Sequence, residues 1–239
     1  MRKFGLIGFP LSHSFSETYF QEKFSEENLQ DCQYQNHPLK KIEKIKNLVE
    51  NERLAGFNVT TPHKESIIEH LDSLSKDAKE IGAVNTVCIK NNKWIGYNTD
   101  WIGFYESIKP LLKNHHKKAL ILGTGGASKA VMYALKKLEI QSETVSRKKN
   151  LTYDSLTKNV FGKYQLVINC TPLGTFPKID ESPPIPYHLL NKDYLLYDLV
   201  YNPNKSRFLA LGQTQGCDIK NGLEMLYRQA EAAWIIWNS

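Results

Sequence analysis

Short apolar runs alternate with helix-period patterns along the whole of this chain, and few architectures accommodate that order. "KFGLIG" (Lys3–Gly8) has the length and continuity of a buried strand, and Phe15, Tyr19, Phe20 and Phe24 then recur along one helix face. "CQYQNH" is a candidate second strand. Ile42, Ile45, Leu48 and Val49 mark a helix, "GFNVT" a strand, and "KESIIEHLDSL" a helix again. "NTVCIK" and "KWIGYN" read as two strands joined across Asn91–Asn92, a pair suited to a tight hairpin. "DWIGFYESIKPLL" is helical with Asp100 at or near its N-cap, and the polar "KNHHKK" closes it. The alternation restarts with "KALILG", a helix over Ser128–Leu138, "SETVS", "YQLVINC" and "YLLYDLV", and ends on a helix over Gly222–Trp237. This order predicts parallel sheets covered by helices: an α/β chain in two domains, split near residue 100.

Composition removes other classes. A chain of 239 residues can form one large domain or two small ones, and 41% apolar with 23% charged residues is ordinary for a globular protein. The net charge of +6 suits either nucleic acid or an anionic small molecule. The lysines are scattered over predicted helix faces, as in "PLKKIEKIKN", so no nucleic-acid partner is expected. Cys32, Cys88, Cys170 and Cys217 lie far apart without C-x-x-C or His/Cys spacing, which argues against a metal or disulfide framework and for a reducing compartment. With no apolar run near ~18 residues and no secretory pattern at the start, a cytoplasmic protein with no membrane partner is expected.

"LILGTGGASKAV" carries the first sign of chemistry. Gly123, Thr124, Gly125, Gly126 and Ala127 lie between a predicted strand and a predicted helix. Gly123 permits the tight turn, and Gly125 lets backbone approach a pyrophosphate at the helix N-terminus. A plain glycine turn is the bland alternative; the flanking strand and helix favour a dinucleotide loop. An NAD site places Asp or Glu about 20 residues on, at the end of the next strand. This chain has Ser146, Arg147, Lys148 and Lys149 there. A carboxylate would repel a 2′-phosphate, whereas a guanidinium grips it with two hydrogen bonds, so NADP is the expected cofactor.

The first half collects polar groups at predicted strand ends. "GFPLSHSFSE" sets Ser14 and Ser16 where a strand hands over to a helix. Hydroxyls beside helix N–H groups suit a carboxylate, and N-capping is their simpler use. "FNVTTPHK" brings Asn58, Thr60 and Lys64 to another strand end, while "GAVNT" and "YNTD" add Asn85 and Asp100. In open α/β sheets such ends are where ligands bind.

Taken together, "GFPLSHSFS", "NVTTPHK", "GAVNT", "NTD", "GTGGAS" and "GLEMLYRQA" closely resemble the shikimate dehydrogenase family, in order, from the first strand to the last helix. The resemblance implies an N-terminal α/β substrate domain of residues 1–100, joined by the C-terminal helix (residues 223–239), and a Rossmann-type NADP domain over 101–222. It implies reversible reduction of 3-dehydroshikimate to shikimate. Ser14 and Ser16 would hold the substrate carboxylate with help from Tyr201, and Thr60, Asn85 and Gln229 would contact the ring substituents. Lys64 and Asp100 would be the catalytic pair. Thr171, in the family's "N-x-T" stretch, would bind the cofactor, and Leu199, Gly222 and Met225 would stand near the nicotinamide, with no metal required. A monomer or homodimer binding shikimate or 3-dehydroshikimate is the expected form.

Three residues depart from the family pattern: Glu17 where proline is usual, Trp101 where glycine is common, and His63 at a variable position. None removes a catalytic group. The competing readings are a quinate/shikimate dehydrogenase with broader substrate or NAD use, a methylenetetrahydrofolate dehydrogenase, and a non-catalytic NADP or ligand sensor. The paired serines and "NTD" fit the second poorly, and a sensor needs neither Lys64 nor Asp100.

Overall fold

The computed structural model describes residues 1–11, 15–147 and 151–239. The chain divides into two units, Met1–Thr99 with Ala230–Ser239, and Asp100–Gln229.

The first unit opens with β1 (Arg2–Gly8), α1 (Phe15–Glu26) and β2 (Cys32–Pro38). A 3-10 turn over Ile42–Lys44 leads into α2 (Ile45–Glu52), which stops where Arg53 turns left-handed at φ 55°, and β3 (Leu54–Val59) follows. Next come β4 (Ser73–Leu74) and α3 (Lys76–Ile81), the latter capped by the Ser75 hydroxyl, which accepts from the Ala78 N–H at 3.1 Å. β5 (Thr86–Lys90) and β6 (Lys93–Tyr97) form the hairpin expected from Asn91–Asn92, whose φ angles of 52° and 58° are those of a tight primed turn.

The sheet runs β2-β1-β3-β5-β6-β4. β1 is parallel to β2 and β3, but β5 is antiparallel to both β3 and β6. The β5–β6 reversal is the hairpin expected at Asn91–Asn92, since a two-residue connection can only reverse the chain. Side chains alternate along β1, with Phe4 and Leu6 in one core cluster and Ile7 in another, so both faces of the sheet are covered. Trp237 completes the first of these clusters. Its ring stacks on Phe4 at 4.6 Å, its indole N–H donates to Val87 O at 3.0 Å, and it fills the space left by Gly56, where a Cβ would come within 2.6 Å of it.

The second unit contains α4 (Asp100–Ile108), β7 (Lys118–Leu122), α5 (Gly126–Lys137), β8 (Gln141–Val145) and α6 (Lys158–Phe161). It continues with β9 (Leu166–Asn169), β10 (Leu195–Asp198), α7 (Arg207–Thr214), β11 (Asp218–Lys220) and α8 (Leu223–Asn238). The sheet order is β11-β10-β9-β7-β8 and every pairing is parallel, as in a doubly wound nucleotide-binding fold. Ala119 and Ile121 face one core and Leu120 and Leu122 the other, which is why β7 reads as an unbroken apolar run. The unit boundary falls inside α8, between Gln229 and Ala230. Among the described residues no helix is long and apolar enough to cross a membrane.

Candidate active site

In the first unit the expected substrate residues converge through buried hydrogen bonds. The Thr60 N–H donates to Ile7 O at 2.9 Å, continuing the β1–β3 ladder, and the Thr60 methyl fills the space beside Gly8. Lys64 lies one turn further on, where its carbonyl accepts from the Val84 N–H at 2.7 Å. That bond sets Lys64 next to the segment carrying Asn85, whose carbonyl in turn accepts from the Val59 N–H at 2.8 Å. The Asn85 side chain, 3% exposed, accepts the Thr99 N–H at 2.6 Å and donates to the Thr99 hydroxyl at 2.9 Å.

A connected chain runs from Asn85 to Tyr34, and sequence reasoning missed it. Asn58 Nδ2 donates to Asn85 O at 3.2 Å and to Thr86 Oγ1 at 3.0 Å, so Asn58 Oδ1 must be an acceptor. The buried Tyr34 hydroxyl donates to it at 2.8 Å. Burial pushes the Tyr34 phenol well up, while nearby Ser16 works weakly the other way. Ser14 lies outside the described residues.

In the second unit the other expected residues gather at two places. Asp100, 6% exposed, opens α4. One turn on, Gly103 lies against α8, where a Cβ would come within 2.4 Å of Met225 O and 3.1 Å of Gln229 Cβ. That close approach brings buried Met225 and Gln229 alongside the helix of Asp100; Gln229 Nε2 donates to Leu226 O at 2.8 Å.

The second place is the carboxyl edge of the sheet. Gly123 has φ +106°, a left-handed conformation that favours glycine, and its N–H donates to Val145 O at 3.0 Å. Ser146 and exposed Arg147 therefore begin directly beside the glycine loop, and Arg147 stands close enough to Tyr153 for its charge to act on that phenol. Lys148 lies outside the described residues, as does Lys149. Thr171 packs its methyl 3.2 Å from where a Gly123 Cβ would sit. The Gly222 N–H donates to Val200 O at 3.2 Å, its Cα pressed so close to Leu199 O that a Cβ would lie 2.2 Å away, and half-buried Tyr201 follows.

This edge fits a dinucleotide on its own geometry. Gly125 precedes the twelve-residue α5 in extended backbone without a side-chain cap, and a Cβ added there would meet no described atom within 4 Å. Gly126 and Ala127 form the first turn behind it, with Thr124 in the loop. Open space at a helix N-terminus suits a pyrophosphate.

The family model for the shikimate dehydrogenase substrate binding domain matches residues 6–87. A Staphylococcus epidermidis protein named shikimate dehydrogenase (NADP(+)) is 37% identical over 251 residues, spanning 99% of this chain and 92% of the relative. This chain belongs to the shikimate dehydrogenase family. Among solved structures similar to it, the Aquifex aeolicus shikimate dehydrogenase has a TM-score of 0.89 at 35% identity, covering 100% of this chain and 92% of that one. The Thermus thermophilus shikimate 5-dehydrogenase, solved in complex with NADP(H) and shikimate, has a TM-score of 0.88 at 29% identity, covering 99% of this chain and 93% of that one.

The departures from the shikimate dehydrogenase pattern have structural settings. Glu17 Oε2 accepts from Asn36 Nδ2 at 2.5 Å, which ties the start of α1 to β2. Trp101 packs edge-on to Tyr133 at 5.3 Å within the apolar layer between α4 and α5. His63 is buried with its Nε2 2.6 Å from Leu39 O, a role in packing.

Sequence reasoning also missed a polar cluster beneath the cofactor edge. Asn169 and Asp198, both fully buried, end β9 and β10, and Asn169 Nδ2 donates to Asp198 Oδ1 at 2.9 Å. The Val200 N–H donates to the same oxygen at 3.0 Å, and the Ser206 hydroxyl donates to the other. Burial pushes the Asp198 carboxyl up to about 6, against the pull of these three donors. The available signal was an acid inside the apolar run "YLLYDLV".

Proposed function

We propose that this member of the shikimate dehydrogenase family catalyses the NADP-dependent, reversible reduction of 3-dehydroshikimate to shikimate. One observation carries the cofactor choice: the glycine loop opens directly beside a strand end that bears Arg147 and no acid. A 2′-phosphate needs a cation there, and a ribose diol needs a carboxylate.

Residues 1–100 with the C-terminal helix, residues 223–239, take the substrate, and residues 101–222 take NADP. Ser14 and Ser16 hold the carboxylate with Tyr201, while Thr60, Asn85 and Gln229 read the ring hydroxyls. Gly123–Ala127 hold the pyrophosphate, Ser146, Arg147 and Lys148 hold the 2′-phosphate, and Thr171, Leu199, Gly222 and Met225 border the nicotinamide. When bound, NADP supplies or accepts the hydride. Lys64 takes the hydroxyl proton during oxidation and returns it during reduction, and Asp100 orients both Lys64 and the hydroxyl. In reduction the Lys64 ammonium also stabilises the developing alkoxide. The four cysteines, with no pairing pattern, suit a cytoplasmic location.

The test is to assay oxidation of shikimate and quinate side by side, each with NADP and NAD. Shikimate with NADP should be the fastest pair. Faster turnover with quinate or NAD would overturn the assignment, and binding without turnover would mark a sensor.

A further inference from the structure

Three loops leave the carboxyl ends of β7, β9 and β10 in a row, and one buried carboxylate links them. Asn169 is the register partner of Asp198 on one side and of Leu122, the last residue of β7, on the other. Because Asn169 gives its amide N–H to Asp198, its Oδ1 faces the following turn. There it accepts both the Thr171 N–H at 3.0 Å and the Thr171 hydroxyl at 2.6 Å. Thr171 so held packs its methyl against Gly123, and so against the glycine loop. On the other side Asp198 holds the Val200 N–H, and the Val200 carbonyl accepts from Gly222. Ser206, the third donor, caps α7.

The core does not require an acid at this position. An ionised carboxylate in the interior is costly, and an asparagine would offer an acceptor without the charge. What the carboxylate adds is three charge-assisted bonds that fix three separate backbone segments in one arrangement. Two of these segments carry or adjoin residues assigned to the cofactor: Asn169 leads to Thr171, and Val200 to Leu199 and Gly222.

We propose that Asp198 is a positioning residue for the cofactor, setting Thr171 through Asn169, and Leu199 and Gly222 through Val200, without touching the cofactor itself. This rests on the reading that residues 101–222 bind NADP. Asp198→Asn is the fitting substitution. It keeps an acceptor for Asn169 and Val200 and turns the other oxygen into a donor, which the Ser206 hydroxyl can accept.

The measurements are the Kd for NADP by calorimetry, the KM for shikimate, and the melting temperature. Asp198→Asn should raise the Kd for NADP by roughly tenfold, the worth of one charge-assisted contact, while the KM for shikimate stays within about twofold. A folded variant with an unaltered Kd would overturn the proposal, as would equal rises in both constants, which indicate general loosening. Should Asp198→Asn not fold, Ser206→Ala removes a single donor to the same carboxylate and should raise the Kd roughly threefold; no change there overturns the proposal too. Wild-type protein that binds no NADP in the same titration would overturn the cofactor reading itself, a result separate from any difference between variants.

Discussion

At the scale of single residues, magnitude separates the assigned roles. A positioned proton-transfer group contributes roughly 10²–10⁴-fold, so Lys64→Ala should lower kcat by that factor while shikimate binding weakens far less. A nearly unchanged kcat would remove Lys64 from the chemistry. Arg147→Ala should raise the KM for NADP by roughly 10- to 100-fold and leave the KM for NAD almost unaltered, since one charge-assisted contact is worth ~1.5–3 kcal/mol. Equal losses would mean that Arg147 only supports its loop. Asp198 makes a prediction about stability. Its carboxyl has an ordinary value of 3.8 and stands at about 6 in the folded protein, so between those values the folded state binds more protons than the unfolded one. Its contribution is therefore full below 3.8 and lost as pH rises through about 6, a change of about 3 kcal/mol. The titratable side chains that face it, Cys170, Tyr187 and Tyr197, are all pushed up by burial and stay neutral across that window. Relative to Asp198→Asn, the wild type should lose stability between pH 4 and pH 7 in urea unfolding, by roughly that amount. A constant difference would show that Asp198 does not titrate there.

At the scale of elements, α4 and α8 meet at Gly103. Glycine-to-alanine within a helix ordinarily stabilises by ~0.5–1 kcal/mol. Here the added Cβ would lie 2.4 Å from Met225 O, which is backbone and cannot rotate away. Overpacking costs ~1–3 kcal/mol and wins, so Gly103→Ala should lower the urea midpoint. A rise would mean that the helices are free to separate. What the sequence disclosed at this scale follows from how local each signal was. The Asn91–Asn92 hairpin and the glycine loop were legible because the turn chemistry resides in the turn itself. The helix expected over "KESIIEHLDSL" is instead a 3-10 segment over Ser66–His70 followed by β4. Its backbone is claimed from a distance: Asp72 N–H bonds Trp94 O at 2.9 Å and Ser75 N–H bonds Gly96 O at 2.8 Å. The short α6, α7 and β11 lacked a periodic stretch long enough to stand out. Tyr34 gave no signal as a site residue, and the acid in "YLLYDLV" gave no sign of its role, for a related reason. Each gains its meaning from partners on other strands, which no single stretch displays.

At the scale of the molecule, each unit has its own sheet and its own pair of core clusters. A ligand that binds one unit should therefore protect that unit. At 100 times its Kd a ligand adds ~2.7 kcal/mol to the unfolding free energy of what it binds, or roughly 100-fold slower exchange for amides that exchange only by unfolding. NADP alone should slow hydrogen exchange across Asp100–Gln229, and shikimate alone should slow it around Thr60–Lys64 and Asn85. Equal protection of both units by NADP would show that they open as a single cooperative body.

The stacking of Trp237 on Phe4 has a consequence for synthesis. A ribosome makes Phe4, Phe20 and Phe24 first and must then make the whole of Asp100–Gln229 before the helix that covers them emerges. Until Ala230–Ser239 has emerged, those aromatics lack their cover, and this core of the first unit cannot close. Domains ordinarily fold in the order they are made. Here the aromatics made early must wait for a segment made late, so this core closes only after nearly all of the chain has been synthesised.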